Sequence, residues 1–474
     1  MKTEIKFGTD GWRGIIAEDF TFANVRYCAQ SLAEYLKETG DADKGLVVGY
    51  DTRFASDRFA VAISEVIAAN GIKAYLCPKA TPTPVISFGV VNRQAAGAVI
   101  ITASHNPAEW NGFKVKTAAG SSAPREIESN IETRLSTIIY QGTFQRIPLD
   151  EGLARGLIEY TDLYPTYIQH INKLVDVKNI RKAGIKIAVD SMFGAGAGYL
   201  NSIISGGRTK LYEIHGEHNP LFPGIRPEPI PPHLSQLSQY VQEKNTVVGL
   251  ATDGDADRIG VVDETGNPLT SLQLFALLAL YWLEVRHERG ALIKTVATTN
   301  MIDKLGKLFD VPVHVTPVGF KYVAPKMVEE NALMGGEESS GFGFRGHVPE
   351  RDGILSALCF LDLMVSLNKT PSQLVEYLYD KVGPHYYKRT DLKFPPENRV
   401  HLIDRLSKAK STDFIDRTLV ETDTSDGFRF IMKDESWLLV RFSGTEPLLR
   451  IYAESESTTQ TDDLLTQARK IMGV

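Results

Sequence analysis

Cysteine is scarce in this 474-residue chain: there are three, Cys28, Cys77 and Cys359, far apart and without a C-x-x-C pair. That excludes a disulfide framework and a zinc-thiolate site, and it points to a reducing cytoplasm. Long apolar runs are missing too. The greasiest stretch, Leu274–Val285, is well short of the roughly 20 residues a spanning helix needs, and the N-terminal Met1-Lys-Thr-Glu-Ile-Lys-Phe7 has no apolar signal region. Neither secretion nor membrane insertion is expected. Nor is there a surplus of positive charge: 52 Lys and Arg face 58 Asp and Glu, for a formal net charge of −6. No global field attracts nucleic acid or anionic membrane, so any anion site must be local.

What is present is ordinary globular material, 43% hydrophobic and 23% charged. Single cores stop growing near ~250–300 residues, so three or four domains are expected. Along the chain a short β-branched run, a polar turn and an amphipathic stretch alternate, the pattern of α/β domains. Such runs begin at Gly45–Asp51, Gly97–Thr102, Ile185–Asp190, Thr246–Ala251 and Ala291–Val296. Gly, Pro and charge cluster near Tyr160–Pro165, Asp263–Pro268 and Gly383–Pro396, dividing the chain into segments 1–160, 161–266, 267–385 and 386–474. The first three read as similar α/β units. The last reads as a smaller α+β unit ending in a helix over Thr459–Met472. The Pro-rich run Phe222–Pro232 is expected to be an extended surface loop.

Four polar clusters follow buried runs, where open parallel sheets place their ligands. Thr102-Ala-Ser-His-Asn-Pro107 puts Ser104 in a tight turn, as a phosphoryl acceptor or as a plain turn residue. Asp253-Gly-Asp-Ala-Asp-Arg258 offers three alternating carboxylates that would repel one another without a cation, and hard oxygen ligands suggest Mg²⁺. An EF-hand is rejected because Arg258 stands where that loop needs glycine and both flanks read as strands. Gly335-Gly-Glu-Glu-Ser-Ser-Gly341 suits sugar hydroxyls. Arg441-Phe-Ser-Gly-Thr-Glu-Pro-Leu-Leu-Arg450 suits a phosphate dianion, with guanidinium donors around free backbone amides. Either is an ordinary loop on composition alone. Gly194-Ala-Gly-Ala-Gly198 imitates a dinucleotide fingerprint, but Tyr199 occupies the third glycine position, so it reads as a tight strand-to-helix turn.

In this order and spacing the clusters resemble those of the α-D-phosphohexomutase superfamily, and the resemblance covers the whole chain, opening with Phe7-Gly-Thr-Asp-Gly-Trp-Arg13. It implies four domains, three similar α/β/α units with mixed sheets and a smaller α+β unit, around a central cleft. It implies a phosphorylated Ser104, with Mg²⁺ held by that group and by Asp253, Asp255 and Asp257. Lys114 becomes a candidate acid/base, and Arg13 and His105 join the catalytic set. Arg258, Lys321, Glu337, Ser339, His347 and Arg351 would contact substrate, and Arg441, Ser443, Gly444, Thr445 and Arg450 would clamp the phosphate that is not reacting. Where phosphoglucomutases carry a lysine before Asp-Gly, this chain has Arg351, which stays charged and carries protons poorly.

The implied activity is interconversion of hexose 1- and 6-phosphates through a hexose 1,6-bisphosphate, with glucose 1,6-bisphosphate as activator. The Gly-Glu-Glu-Ser-Ser-Gly loop favours glucose phosphates, with mannose phosphates second. Partners are small hexose phosphates, with neither nucleic acid nor membrane, and the protein is a monomer or dimer. Rival readings are a glucose-1,6-bisphosphate synthase of the same superfamily, a metal-dependent phosphatase, and a silent sugar-phosphate binder. The histidines lack dinuclear clustering, which disfavours the phosphatase, and a binder needs no nucleophile.

Overall fold

The computed structural model of the chain describes residues 5–8, 10–414, 417–442 and 448–473. Its first sheet contains β1 (Trp12–Ile15), β2 (Leu46–Tyr50), β3 (Ala74–Leu76), β4 (Gly97–Ile101), β5 (Trp110–Thr117) and β6 (Ile158–Tyr160), in the order β1-β5-β4-β2-β3-β6. Strands β2, β3, β4 and β6 run parallel, whereas β5 is antiparallel to β4 and to β1. Every residue of β4 is buried, as expected of a strand covered by helices on both faces.

The second sheet, β7 (Lys186–Asp190), β8 (Lys210–Ile214), β9 (Val248–Thr252) and β10 (Ile259–Val262), has the order β10-β9-β7-β8, with only the β9–β10 pair antiparallel. The third, β11 (Leu292–Thr295), β12 (Val313–Thr316), β13 (Met334–Gly336) and β14 (Phe342–Phe344), has the order β12-β11-β13-β14, again with one antiparallel pair at an edge. The fourth is antiparallel throughout: β15 (Tyr386–Lys393), β16 (Leu419–Asp423), β17 (Phe428–Met432), β18 (Trp437–Phe442) and β19 (Leu448–Ser455), ordered β15-β19-β18-β17-β16. Three α/β units with mixed sheets and one α+β unit are thus present. The helix Thr458–Met472 closes the last.

One apolar cluster runs through the first three units, from Val47 and Ile86 through Leu250 and Leu277 to Leu358. The greasy stretch Leu274–Val285 lies inside it, as the helix Ser271–Leu280 continued by a wider turn at Tyr281–Val285. Among the described residues no single helix is long and apolar enough to cross a membrane. The fourth unit has its own core around Phe430, Leu438, Ile451 and Leu464, and it meets the third through a patch of Val296, Ala297, Trp437, Leu439 and Tyr452.

Two expectations need correction. Residues 386–393, placed in a Gly/Pro-rich break, form β15; its charged, mostly exposed residues hide the strand from a hydrophobic reading, and pairing with β19 makes it. The run Phe222–Pro232 is not simply a surface loop. Phe222 is buried under the Arg53 guanidinium, 5.1 Å from its ring centroid, and the Arg226 Nε donates to the His105 carbonyl at 2.9 Å.

Candidate active site

Ser104 sits just beyond the carboxyl end of β4 at φ 51°, a left-handed conformation unusual for a residue with a side chain. Its loop is held from below by Arg53, a residue that sequence reading did not single out. The two Arg53 Nη groups donate to the carbonyls of Ser104 and Asn106 at 2.6 Å each and of Pro107 and Trp110 at 2.7 and 3.1 Å. Asp51 in turn lies 3.2 Å from Arg53 Nε. A buried arginine with its charge matched by Asp51 fixes four carbonyls at once, so the serine hydroxyl is aimed by the backbone.

That hydroxyl donates to Asp253 Oδ2 at 2.7 Å and lies 3.3 Å from His105 Nδ1. Burial, reinforced by Arg258, Arg13 and Arg226, pushes the His105 pKa well below its usual value, so the ring is neutral. Arg13, on β1, donates to Asn106 Oδ1 at 2.6 Å. The β5–β1 pairing brings Arg13 opposite Gly112, beside the serine loop.

The loop between antiparallel β9 and β10 carries Asp253, Asp255 and Asp257, all fully buried, with one carboxylate oxygen from each within 4.8 Å of the others. The tight reversal falls at Ala256, φ 57°. Asp255 accepts from Thr83 Oγ1 at 2.7 Å and pairs with Lys114 Nζ at 2.9 Å; Asp257 faces Arg351 Nη2 at 2.8 Å. Burial, with Asp255 and Asp257 adding to it, drives the Asp253 carboxyl well above its usual range. Burial acts on Asp255 in the same direction, yet Lys114 and the Thr83 hydroxyl hold it below. Asp255 Oδ1 and Asp257 Oδ1 are buried without a hydrogen-bond donor, and Asp257 Oδ2 meets the Arg351 guanidinium only as an ion pair. Three clustered carboxylates with oxygens left unsatisfied are what a hard divalent cation satisfies, so the residues present fit Mg²⁺.

Neighbouring loops converge on this one. Ala195 N–H donates to the Gly254 carbonyl at 2.9 Å, and Gly353 N–H to that of Ala256 at 3.1 Å. Arg258 forms a β-bridge to Gly341 of the Glu337–Gly341 loop. The Gly194–Gly198 segment is indeed a strand-to-helix turn, leading from β7 into the helix Tyr199–Ile204. A Cβ on Gly194 would fall 2.8 Å from the Asp253 carbonyl, so the glycine is there for close approach.

Lys114, 1% exposed, extends from β5 to Asp10 at 2.8 Å and Asp255. Burial lowers its pKa, but Asp10, Asp255 and Asp257 outweigh that and raise it, keeping an ammonium. Two residues along the same face of β5, Lys116 pairs with Glu350 and reaches Ser122 at 2.8 Å. Arg351 ties the system together, contacting Asp257, Asp10 at 3.1 Å, Glu350 at 3.2 Å and Glu337 at 3.5 Å. Asp10, Lys116, Glu350 and Arg226 were missed as individual site residues. Asp10, inside the opening signature, and Glu350, next to Arg351 ahead of Asp-Gly, had a signal in the sequence.

The substrate-side expectations divide. Glu337 is buried, and burial pushes its carboxyl up to about 7 although Arg351 opposes this; Ser339 Oγ lies 3.4 Å from it. Lys321, in the first turn of the helix Phe320–Glu329, is 5.5 Å from the Tyr322 ring and acts on Glu128 of the first unit. Arg441 and Arg450 stand directly opposite on β18 and β19. Like charges in that position repel, and Arg450 Nε is buried without an acceptor; an anion would remedy both. Ser443, Gly444 and Thr445 lie outside the described residues. His347 is a correction. Its ring is fully buried and stacks with His170 and Phe88, with Nε2 3.0 Å from Asp352 Oδ2. It orients the residue that caps the helix Gly353–Leu367 and does not face a ligand.

Compared with known families, the chain matches all four parts of one described as phosphoglucomutase/phosphomannomutase: alpha/beta/alpha domain I over residues 4–141, domain II over 165–266, domain III over 270–382 and the C-terminal domain over 393–471. The chain belongs to this family, within the α-D-phosphohexomutase superfamily. A phosphoglucomutase/phosphomannomutase of Thermococcus kodakarensis is 30% identical, with 98% of each chain covered. A phosphoglucosamine/phosphogalactosamine mutase of Sulfurisphaera tokodaii is 29% identical over the same shares. A solved structure from Thermus thermophilus, under a provisional phosphomannomutase name, superposes over 100% of both chains with TM-score 0.86 and 33% identity. The protein is a phosphohexomutase, an intramolecular phosphotransferase. In this phosphohexomutase the serine turn, the aspartate loop and the Lys114–Arg351 network form one buried assembly, with the arginine pair on the fourth domain.

Proposed function

We propose that the protein interconverts hexose 1-phosphates and 6-phosphates, glucose phosphates first, by two transfers through a phosphorylated Ser104 and a hexose 1,6-bisphosphate. The observation that carries this is the left-handed Ser104 with its hydroxyl held 2.7 Å from the aspartate cluster. In the first transfer a sugar hydroxyl attacks the Ser104 phosphate: a sugar O–P bond forms, the Ser104 Oγ–P bond breaks, and the proton the sugar hydroxyl gives up replaces the one Lys114 donates to the serine oxygen. In the second the reoriented bisphosphate returns its other phosphate to Ser104. Lys114, held as an ammonium by its carboxylates, neutralises charge and donates a proton. Arg351 is raised further still, burial notwithstanding, by Asp257, Glu350 and Asp10, and serves as a fixed charge. Asp253, Asp255, Asp257 and the Ser104 group would hold Mg²⁺, which would neutralise the charge of the transferring phosphoryl group. Glu337 and Ser339 bind sugar hydroxyls. Arg441 and Arg450, with Ser443, Gly444 and Thr445, hold the distal phosphate. Three buried free cysteines suit a cytoplasmic enzyme.

A second substrate reading has its own support, since the Sulfurisphaera tokodaii relative is named for glucosamine and galactosamine phosphates. Glucose 1-phosphate and glucosamine 1-phosphate are compared with Mg²⁺, with and without a trace of the matching 1,6-bisphosphate, following the 6-phosphate by ³¹P NMR. Activator-dependent turnover of glucose 1-phosphate, absent in Ser104→Ala, is expected. Faster turnover of the amino sugar would reassign the substrate. Bisphosphate accumulating in place of 6-phosphate would indicate a bisphosphate synthase.

A further inference from the structure

The turn Thr424–Gly427, between β16 and β17 of the fourth domain, reaches the third. Asp426 Oδ2 accepts two hydrogen bonds, from Arg441 Nε at 2.9 Å and from the Val318 backbone N–H at 2.8 Å. Arg441 is one of the opposed arginines of β18 and β19. Val318 lies between β12 and the helix that carries Lys321 in its first turn. A single carboxylate oxygen therefore joins the arginine pair of one domain to the substrate-facing segment of another. The turn's height is set by backbone packing: a Cβ on Gly427, φ 104°, would come 2.6 Å from the Val440 carbonyl and 3.2 Å from Arg441 Cα. Val318 also packs against the apolar patch of Val296, Ala297, Trp437 and Leu439, so the bond forms where the two domains are already in contact.

We propose that Asp426 is a positioning residue that aims Arg441 at the substrate phosphate and does so fully only when the fourth domain is seated on the third. Binding Nε fixes the guanidinium plane and leaves the two Nη groups as a fork, the part of arginine that grips a phosphate through two parallel bonds. Without that bond Arg441 regains rotamer freedom and swings away from Arg450, which repels it. Because the same oxygen takes the Val318 N–H, seating the domain completes the pair of bonds, and the aimed fork and the Lys321 segment are presented together. The inference rests on reading Arg441 and Arg450 as a phosphate clamp.

The test uses the full-length enzyme and steady-state kinetics on whichever hexose 1-phosphate it turns over. Asp426→Ala is expected to raise KM about ten-fold with kcat within about two-fold, because the lost interaction holds the phosphate that does not react. Asp426→Asn keeps an oxygen able to accept both donors and should stay within about three-fold of wild type in KM. In an Arg441→Ala background, Asp426→Ala should add nothing further. If Arg441→Ala raises KM and Asp426→Ala does not, or if the two effects simply add, the positioning role is overturned and the clamp reading stands. If Arg441→Ala leaves KM unchanged, the clamp reading falls and the inference with it. Should Asp426→Ala fail to fold, Asp426→Ser, too short to span both donors, carries the same expectations.

Discussion

Ser104 Oγ donates to Asp253 Oδ2 across 2.7 Å, joining two residues 149 positions apart. Neither group alone defines a site. A buried carboxylate beside two others is poorly placed without a cation, and a serine hydroxyl is a weak nucleophile until its surroundings carry charge away. Together they make a seat where a phosphoryl oxygen and a metal can share one centre.

Metal binding should therefore change stability in a way one substitution reverses. Mg²⁺ in excess raises the unfolding temperature of the wild type, by an amount corresponding to about 2.7 kcal/mol at a hundred times the dissociation constant. Asp253→Asn is expected to lose most of that rise. Metal-free, the variant should be more stable than metal-free wild type, since burial beside Asp255 and Asp257 disfavours the Asp253 carboxylate. Thermal scans with EDTA and with Mg²⁺ check both signs; equal metal shifts in the two proteins would remove Asp253 from the ligand set.

Gly254 has no room for a side chain. A Cβ there would lie 2.5 Å from the Ser104 carbonyl and 3.7 Å from Pro227. Gly254→Ala must part the serine turn from the aspartate loop by several tenths of an ångström. A misplacement of that order is expected to reduce kcat at least ~10-fold. Circular dichroism should show the fold retained, and unchanged kcat would mean the two loops need not touch during turnover.

Arg450 faces Arg441 across β18 and β19. Arg450→Ala should relieve this repulsion and stabilise the free enzyme by roughly 0.2–1 kcal/mol, while KM for the hexose phosphate rises at least ~10-fold. Urea unfolding and steady-state kinetics on the same preparation test the opposite signs. A variant that is both less stable and kinetically normal would show that the pair serves structure.

Glu128, buried in the helix Arg125–Gln141, has its carboxyl pushed up to about 7 by burial, against the pull of Lys321 and Arg125. Its folded pKa lies above the unfolded value of 4.5. As pH rises between these values the unfolded chain loses its proton first, so this group's contribution falls from about pH 4.5 to 7 and stays unfavourable above. Glu128→Gln should thus stabilise the protein by about 1–3 kcal/mol at pH 8 and by little at pH 4.5. Denaturation at both pH values measures the difference; an equal effect at each would mean that Glu128 does not titrate in this range.

Much of the architecture was legible from local pattern. The buried runs at Gly97–Thr102 and Thr246–Ala251 became β4 and β9, the latter shifted to Val248–Thr252, and the helix expected over Thr459–Met472 begins one residue earlier, at Thr458. Strand β15 was not legible, because its alternation is of charge and partial exposure and its partner lies 55 to 69 residues away. His347 was misjudged because a motif reports a residue's neighbours in sequence, and its ring is decided by His170 and Phe88 from other domains.

The sequence by itself determined which chemical groups exist and where each turn falls: a serine after a buried strand, three aspartates at alternate positions, two arginines at the ends of a phosphate-suited loop. Their order along the chain was enough to indicate the superfamily. Only the tertiary structure decided that Arg53 grips the serine turn by its carbonyls, that Asp10, Lys114 and Arg351 form one charged network, and that Asp426 spans two domains. The physical reason is that side-chain identity and backbone propensity are local, whereas burial, and hence the strength and direction of every charge in the site, depends on what distant segments bring to cover it.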